Sequence, residues 1–151
     1  MKKIIVIAVM LLGFAAAAYA QPRAIGLRGT KGVVQVSYQH DLGANFIDAG
    51  LGLYGSGFSL DGVYNFMLAQ PAWTDQGKWG VYAGPGASVA MGTGIFDVAI
   101  AGQVGIEYTF WFPLQLSIDI RPQLGVVTVP NAGAAFYFDS WCPALSVRYR
   151  F

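Results

Sequence analysis

The chain ends in a seven-residue alternation, Leu145-Ser-Val-Arg-Tyr-Arg-Phe151, which restricts its fold more than any other segment. On an extended strand, side chains alternate between two faces. Leu145, Val147, Tyr149 and Phe151 fall on one face, and Ser146, Arg148 and Arg150 on the other. At the edge of a soluble sheet, such a strand with its bare terminal aromatic would be an aggregation hazard. The same strand suits a wall with lipid on one side and a polar lumen on the other.

The opposite end points to the same place. Met1-Lys2-Lys3 is a basic start, Ile4 to Phe14 is an apolar run, and Ala18-Tyr19-Ala20 fits the small-x-small site of a cleaved secretory signal. Residues 1–20 are therefore expected to be removed, with cleavage between Ala20 and Gln21, leaving one domain over residues 21–151. The 17 apolar-rich residues from Ile4 to Ala20 are at the low end of what spans a bilayer, which disfavours a retained helical anchor. Gln21 rather than Cys after the site excludes a lipid anchor there.

Without Lys2 and Lys3 the 9 Lys and Arg fall to 7, against 8 Asp and Glu, a net charge of −1. That leaves no basic field to attract nucleic acid. Charged residues make up 11% of the chain, well below the roughly 25% of soluble domains. No second run approaches the ~18 apolar residues of a transmembrane helix. Two readings remain: a membrane β-barrel, or a greasy secreted β-sandwich. The single cysteine, Cys142, cannot form an intramolecular disulfide, which weakens the sandwich.

Alternating segments bounded by turn residues predict about eight strands, the smallest bacterial barrel number. They cover residues 23–29, 33–40, 45–54, 57–67, 78–91, 97–110, 114–124 and 141–151. In the seventh, Leu114, Leu116, Ile118 and Ile120 alternate with Gln115, Ser117, Asp119 and Arg121. In the sixth, Val98, Ile100, Val104, Ile106 and Tyr108 oppose Asp97, Gln103, Glu107 and Thr109. Tyr64, Phe66, Trp79, Tyr108, Phe110, Trp111, Tyr149 and Phe151 gather at strand ends on one side of the meander, as in an interfacial aromatic girdle. The barrel is the better reading: all-β, eight-stranded, antiparallel, up-and-down and transmembrane. Export then puts both chain ends in the periplasm and the turns near Thr30, Ser56, Thr93 and Pro130 outside, with residues 127–140 as the one long external loop. Pro85, Pro122 and Pro143 fall within strands, where each removes a ladder donor.

Ile25-Gly-Leu-Arg-Gly29, Ser37-Tyr-Gln-His40, Tyr82-Ala-Gly-Pro-Gly86, Gly105-Ile-Glu-Tyr108, Pro113-Leu-Gln-Leu-Ser-Ile-Asp119 and Arg148-Tyr-Arg-Phe151 resemble segments of small outer-membrane β-barrel proteins of Gram-negative bacteria, with the OmpA/OmpX-like architecture. The resemblance covers nearly the whole mature chain. It implies outer-membrane lipids as surroundings, barrel-assembly machinery as a partner during biogenesis, and Val147, Tyr149 and Phe151 as the C-terminal assembly signal. It carries no catalytic residues.

A barrel of eight strands has an interior that side chains can fill. The expected inward set is Arg28, Arg121, Arg148 and Arg150 against Asp48, Asp61, Asp97, Glu107 and Asp119, close to balance. Because a buried charge must be paired, these residues read as a self-satisfied plug in preference to an ion path. Arg148 and Glu107 are expected at the same end, in one network. A lipid-modifying enzyme needs a nucleophile beside a base. Ser37 and the sole histidine, His40, are an odd number of residues apart and face opposite sides. One histidine and one cysteine make a conventional metal site improbable, and no cofactor is implied. The expected role is structural or interactive. The alternative is a carrier or narrow channel for small hydrophobic molecules, which inward Gly50, Gly52, Gly84 and Gly86 would accommodate unless Tyr54, Tyr82 and the arginines fill the space.

Overall fold

The computed structural model describes residues 23–151, so the expected signal segment, with Ala20 and Gln21, lies outside the described residues. Ten strands follow in order: β1 (Arg23–Thr30), β2 (Val33–Leu42), β3 (Asn45–Tyr54), β4 (Gly57–Ala69), β5 (Lys78–Gly92), β6 (Ile95–Thr109), β7 (Leu114–Ile120), β8 (Gln123–Val129), β9 (Gly133–Asp139) and β10 (Pro143–Arg150). Strands β1 to β6 form a meander in which each pairs antiparallel with the next. Strand β6 then pairs with both β7 and β8. Strand β8 continues to β9, β7 pairs with β10, and β10 returns to β1. Thus β7 with β8, and β9 with β10, are two broken staves of a closed eight-stranded antiparallel barrel.

The first break has a local cause. Pro122 carries no amide proton and cannot continue the ladder. Its neighbours rejoin around it: Gly102 N donates to Pro122 O at 2.9 Å, and Arg121 N donates to Cys142 O at 3.0 Å. Pro143 opens β10, where the missing donor is tolerated. Pro85 interrupts the β4–β5 ladder without displacing it, since Val63↔Gly86 and Phe66↔Ala83 share one register. Beside it, a Cβ on Gly84 would stand 1.8 Å from the Tyr64 carbonyl oxygen, so only glycine permits this approach of the two backbones.

The long external loop expected over residues 127–140 is instead a hairpin. Strand β8 runs on to Val129 and β9 begins at Gly133. The tight turn between them has Asn131 at φ 64° and Ala132 N donating to Val129 O at 3.2 Å. Pro130-Asn131 and the small residues after it look like loop, but the β-branched run before them and Phe136-Tyr137-Phe138 after them are strand formers that pair across a short turn. The last stave accordingly holds β9 as well as β10. At the same end, the β1–β2 turn has positive φ at Lys31 (39°) and Gly32 (81°), the conformation favoured in two-residue hairpins.

Polarity is inverted relative to a soluble domain. Leu27 is 56% exposed and the adjacent Arg28 is 2% exposed. Leu53, Leu60, Ile100, Val104, Ile118 and Leu145 are likewise exposed, while Ser37, Gln39, Asp48, Asn65, Gln103, Gln115, Asp119 and Arg148 are buried. The pairing is also strongly staggered. Starting from Ile25, successive partners Tyr38, Ala49, Gly62, Ala87, Ile100 and Leu124 lead to Phe138, yet Ile25 also pairs directly with Tyr149 on that same stave. A stagger of this kind tilts strands by roughly 35–45° from the barrel axis.

Aromatic rings gather at both ends of the outer wall. At the end holding Arg23 and Phe151, the near end, Trp79 and Tyr108 have centroids 4.7 Å apart, Tyr108 and Phe110 4.6 Å, and Tyr64 and Phe66 5.1 Å. Exposed Phe58, Phe96, Phe136, Phe138 and Trp141 form a second set toward the far end. Along β6, the 12 residue-to-residue steps from Phe96 to Tyr108 correspond to about 30 Å of barrel height at that tilt.

Candidate functional site

The candidate site is the lumen. Strands β1, β3, β4, β6, β7 and β10 each aim a charged residue inward because alternation puts every second side chain on the concave face. Asp48 of β3 is the hub: its carboxylate accepts from Arg148 Nη2 at 2.9 Å, Arg121 Nη2 at 3.4 Å, Ser37 Oγ at 3.0 Å and Gln103 Nε2 at 3.4 Å. Arg121, carried inward at the Pro122 break, also donates to Asp61 and to Gln103 Oε1. Asp61 further accepts from Gln35 Nε2 at 3.0 Å. Arg28 pairs with Asp119 at 2.5 Å and donates to Gln35. Arg148 completes its fork with Ser37 Oγ and Ser117 Oγ, each at 2.8 Å.

The structure therefore brings Arg28, Asp48, Asp61, Asp119, Arg121 and Arg148 into one buried network and separates the other three expected members from it. Arg150 lies at the near rim and pairs with Asp41 at 2.6 Å, with both side chains about a fifth exposed. Asp97 lies toward the far end and accepts from Tyr137 Oη at 3.0 Å. Glu107 is buried near the near end but accepts from Gln115 and Gln39, not from Arg148. Asp41 was missed because the predicted strand stops at His40, whereas β2 continues to Leu42. Also missed was an apolar layer in the lumen: Phe46 and Tyr82 meet edge-to-face at 5.0 Å, buried with Val63. Of the two tyrosines weighed as lumen fillers, Tyr82 is inside and Tyr54 is 39% exposed.

Two recesses flank the network. A near-end vestibule of about 480 Å³ is lined by residues including Gln39, Asp41, Phe46, Met67, Glu107 and Arg150. A far-end recess of about 200 Å³ is lined by residues including Gln35, Tyr54, Asp61, Asp97 and Cys142. They share no residue. Asp48, Asn65, Gln103, Asp119, Arg121 and Arg148 lie between and line neither. This is the geometry of a packed diaphragm. Removing one partner from such a buried ion pair typically costs about 3–5 kcal/mol, because the other charge is left dry and unpaired.

Ser37 points inward, fully buried against Asp48 and Arg148, while His40 Nδ1 lies 3.1 Å from Tyr38 Oη near the outer face. The two are not a nucleophile and its base. Cys142 Sγ is 3.2 Å from Thr30 Oγ1 at the far rim. Among the described residues no three His, Cys, Asp or Glu side chains converge as metal ligands. Comparison with family models, curated proteins and solved structures finds no match to this chain.

Proposed function

We propose that this protein is a small integral outer-membrane β-barrel with a side-chain-plugged lumen and a structural or interaction role in the envelope. The observation that carries the reading is the inverted polarity: an apolar outer wall around a core of guanidinium–carboxylate pairs. In water that wall would be a large exposed apolar surface, which soluble monomers avoid; in lipid it is the expected surface. The two aromatic sets support the same reading, since transmembrane barrels carry an apolar band ~25 Å tall flanked by aromatic girdles. With the signal at the N-terminus, the near end lies in the periplasm and the far-end turns face outside, surrounded by outer-membrane lipid. The C-terminal Val147, Tyr149 and Phe151 then serve as the signal that barrel-assembly machinery engages.

The diaphragm between the two recesses supports a closed lumen. In planar bilayers the refolded protein is expected to give no stable conductance, and liposomes that contain it should retain small solutes. Reproducible single-channel steps, or saturable uptake of a hydrophobic solute, would reject the plug in favour of a channel or carrier. The separation of Ser37 from His40 supports a non-enzymatic reading; a change in outer-leaflet acylation abolished by His40→Ala would overturn it.

A further inference from the structure

The lumen network leaves one buried carboxylate without a cation. Asp41, Asp48, Asp61 and Asp119 each have an arginine within 4.0 Å, whereas among the described residues no Lys or Arg is that close to Glu107. Arg148 and Arg150, whose charges reach it, are committed to Asp48 and Asp41. The two hydrogen bonds to Glu107, from Gln115 at 2.8 Å and Gln39 at 3.4 Å, both fall on Oε2. Glu107 lines the near-end vestibule of about 480 Å³, a volume in the range of small-molecule sites. Directly across from it on β5 is Gly80. A Cβ there would come within 3.0 Å of Glu107 Cγ and Met67 Sδ, so glycine lets both side chains lie close over β5 at the vestibule. Gln39, 1% exposed and lining the same vestibule, has Oε1 without a hydrogen-bond partner. Glu107 Oε1 and the enclosed Gln39 Oε1 are thus short of donors, and Phe46 and Met67 supply apolar surface in the vestibule.

We propose that the vestibule binds a small organic cation bearing a primary amine, with Glu107 as its counter-ion and Phe46 and Met67 against its carbon chain. An ammonium group offers three donors and the charge that a buried carboxylate lacks. The site is a dead end under the diaphragm, so it binds a ligand without conducting it.

The test titrates n-butylamine, with n-butanol as neutral control, into the folded protein in detergent at constant ionic strength, followed by calorimetry and by amide chemical shifts around the vestibule. Saturable binding of the amine but not the alcohol is expected, weakened at least tenfold in Glu107→Gln and kept or tightened in Lys78→Met, because Lys78 stands exposed at the mouth as a competing cation. Equal behaviour of amine and alcohol, or unchanged affinity in Glu107→Gln, overturns the proposal. Loss of binding in Lys78→Met overturns it as well. Should Glu107→Gln fail to fold, the wild-type urea midpoint decides: a rise with butylamine over butanol supports the site, and coincident midpoints reject it.

Discussion

At the scale of single residues, Asp48 is the most demanding position, because it alone joins Arg121, Arg148, Ser37 and Gln103. Arg148→Leu takes the nearer of two cations from Asp48 and a donor from each of Ser37 and Ser117 in a dry interior, and should lower unfolding free energy by about 3–5 kcal/mol. Lys31→Leu removes an exposed pair with Asp139 and should cost less than about 1 kcal/mol. Urea unfolding of the refolded variants in lipid vesicles measures both. Equal, small effects would mean that Arg148 is not buried. Asp48→Asn combined with Arg148→Leu should be strongly non-additive, since the residues share one bond network. Glu107 with Arg148, the pair that the strand pattern alone suggests, should couple less, because Glu107 bonds to the two glutamines instead.

At the scale of elements, the tightest joint is β4 against β5. Gly84→Ala drives a methyl group into the Tyr64 carbonyl, so the strands must part beside an already interrupted ladder at Pro85. A loss of at least the ~1–3 kcal/mol typical of overpacking is expected. Gly29→Ala meets nothing within 4 Å and should change stability by under about 0.5 kcal/mol. Matching urea midpoints for the two variants would contradict the close approach. The β8–β9 ribbon is tethered more lightly. Lys31 of the β1–β2 turn bonds to Asp139, whose other oxygen accepts from Trp141 N at 3.2 Å. The Lys31 hydrogen bond holds the Asp139 carboxyl below its usual range. A depressed carboxyl contributes its stability above the ordinary carboxylate pKa and loses it as pH falls through the depressed folded value. Amide exchange at Trp141, corrected for intrinsic rate, should therefore accelerate on acidification below about pH 4. Asp139→Asn should flatten that dependence; an unaltered profile would show that the tether does not protect this amide.

At the scale of the whole molecule, the exposed apolar wall and the staggered closure act together. Eight staves closed with this shear leave a lumen that the inward side chains can fill, and the resulting solid barrel should resist unfolding in detergent. Unheated samples are expected to migrate differently from boiled ones on a gel, with β-type circular dichroism only when detergent or lipid is present. Detergent-independent, water-soluble folding would reject membrane insertion. Mass spectrometry of protein from outer-membrane fractions should find the N-terminus at Gln21. Retained Met1, or fractionation with the inner membrane, would overturn the proposed location.

Much of this architecture was legible in residue order, because alternation with period two is a property of the chain itself. Leu145 to Phe151, Leu114 to Arg121 and Asp97 to Thr109 each specify which side chains share a face, and the turn residues mark where the chain reverses. Face assignment was therefore local information, and it identified Arg28, Asp48, Asp61, Asp119, Arg121 and Arg148 as inward groups. Their partners were not local. Arg148 is 100 residues from Asp48, and Arg28 is 91 from Asp119. Which pairs meet depends on the stagger accumulated around the closed wall, a quantity that no single strand carries. The same holds for the Phe46–Tyr82 layer, for Glu107 left without a cation, and for the β8–β9 hairpin, which exists because two strand-forming runs found each other across a turn that resembles a loop in isolation. The chain by itself determined which face each residue takes; tertiary closure decided which charges neutralise one another, since ion pairing depends on distance in space and face assignment only on parity along the strand.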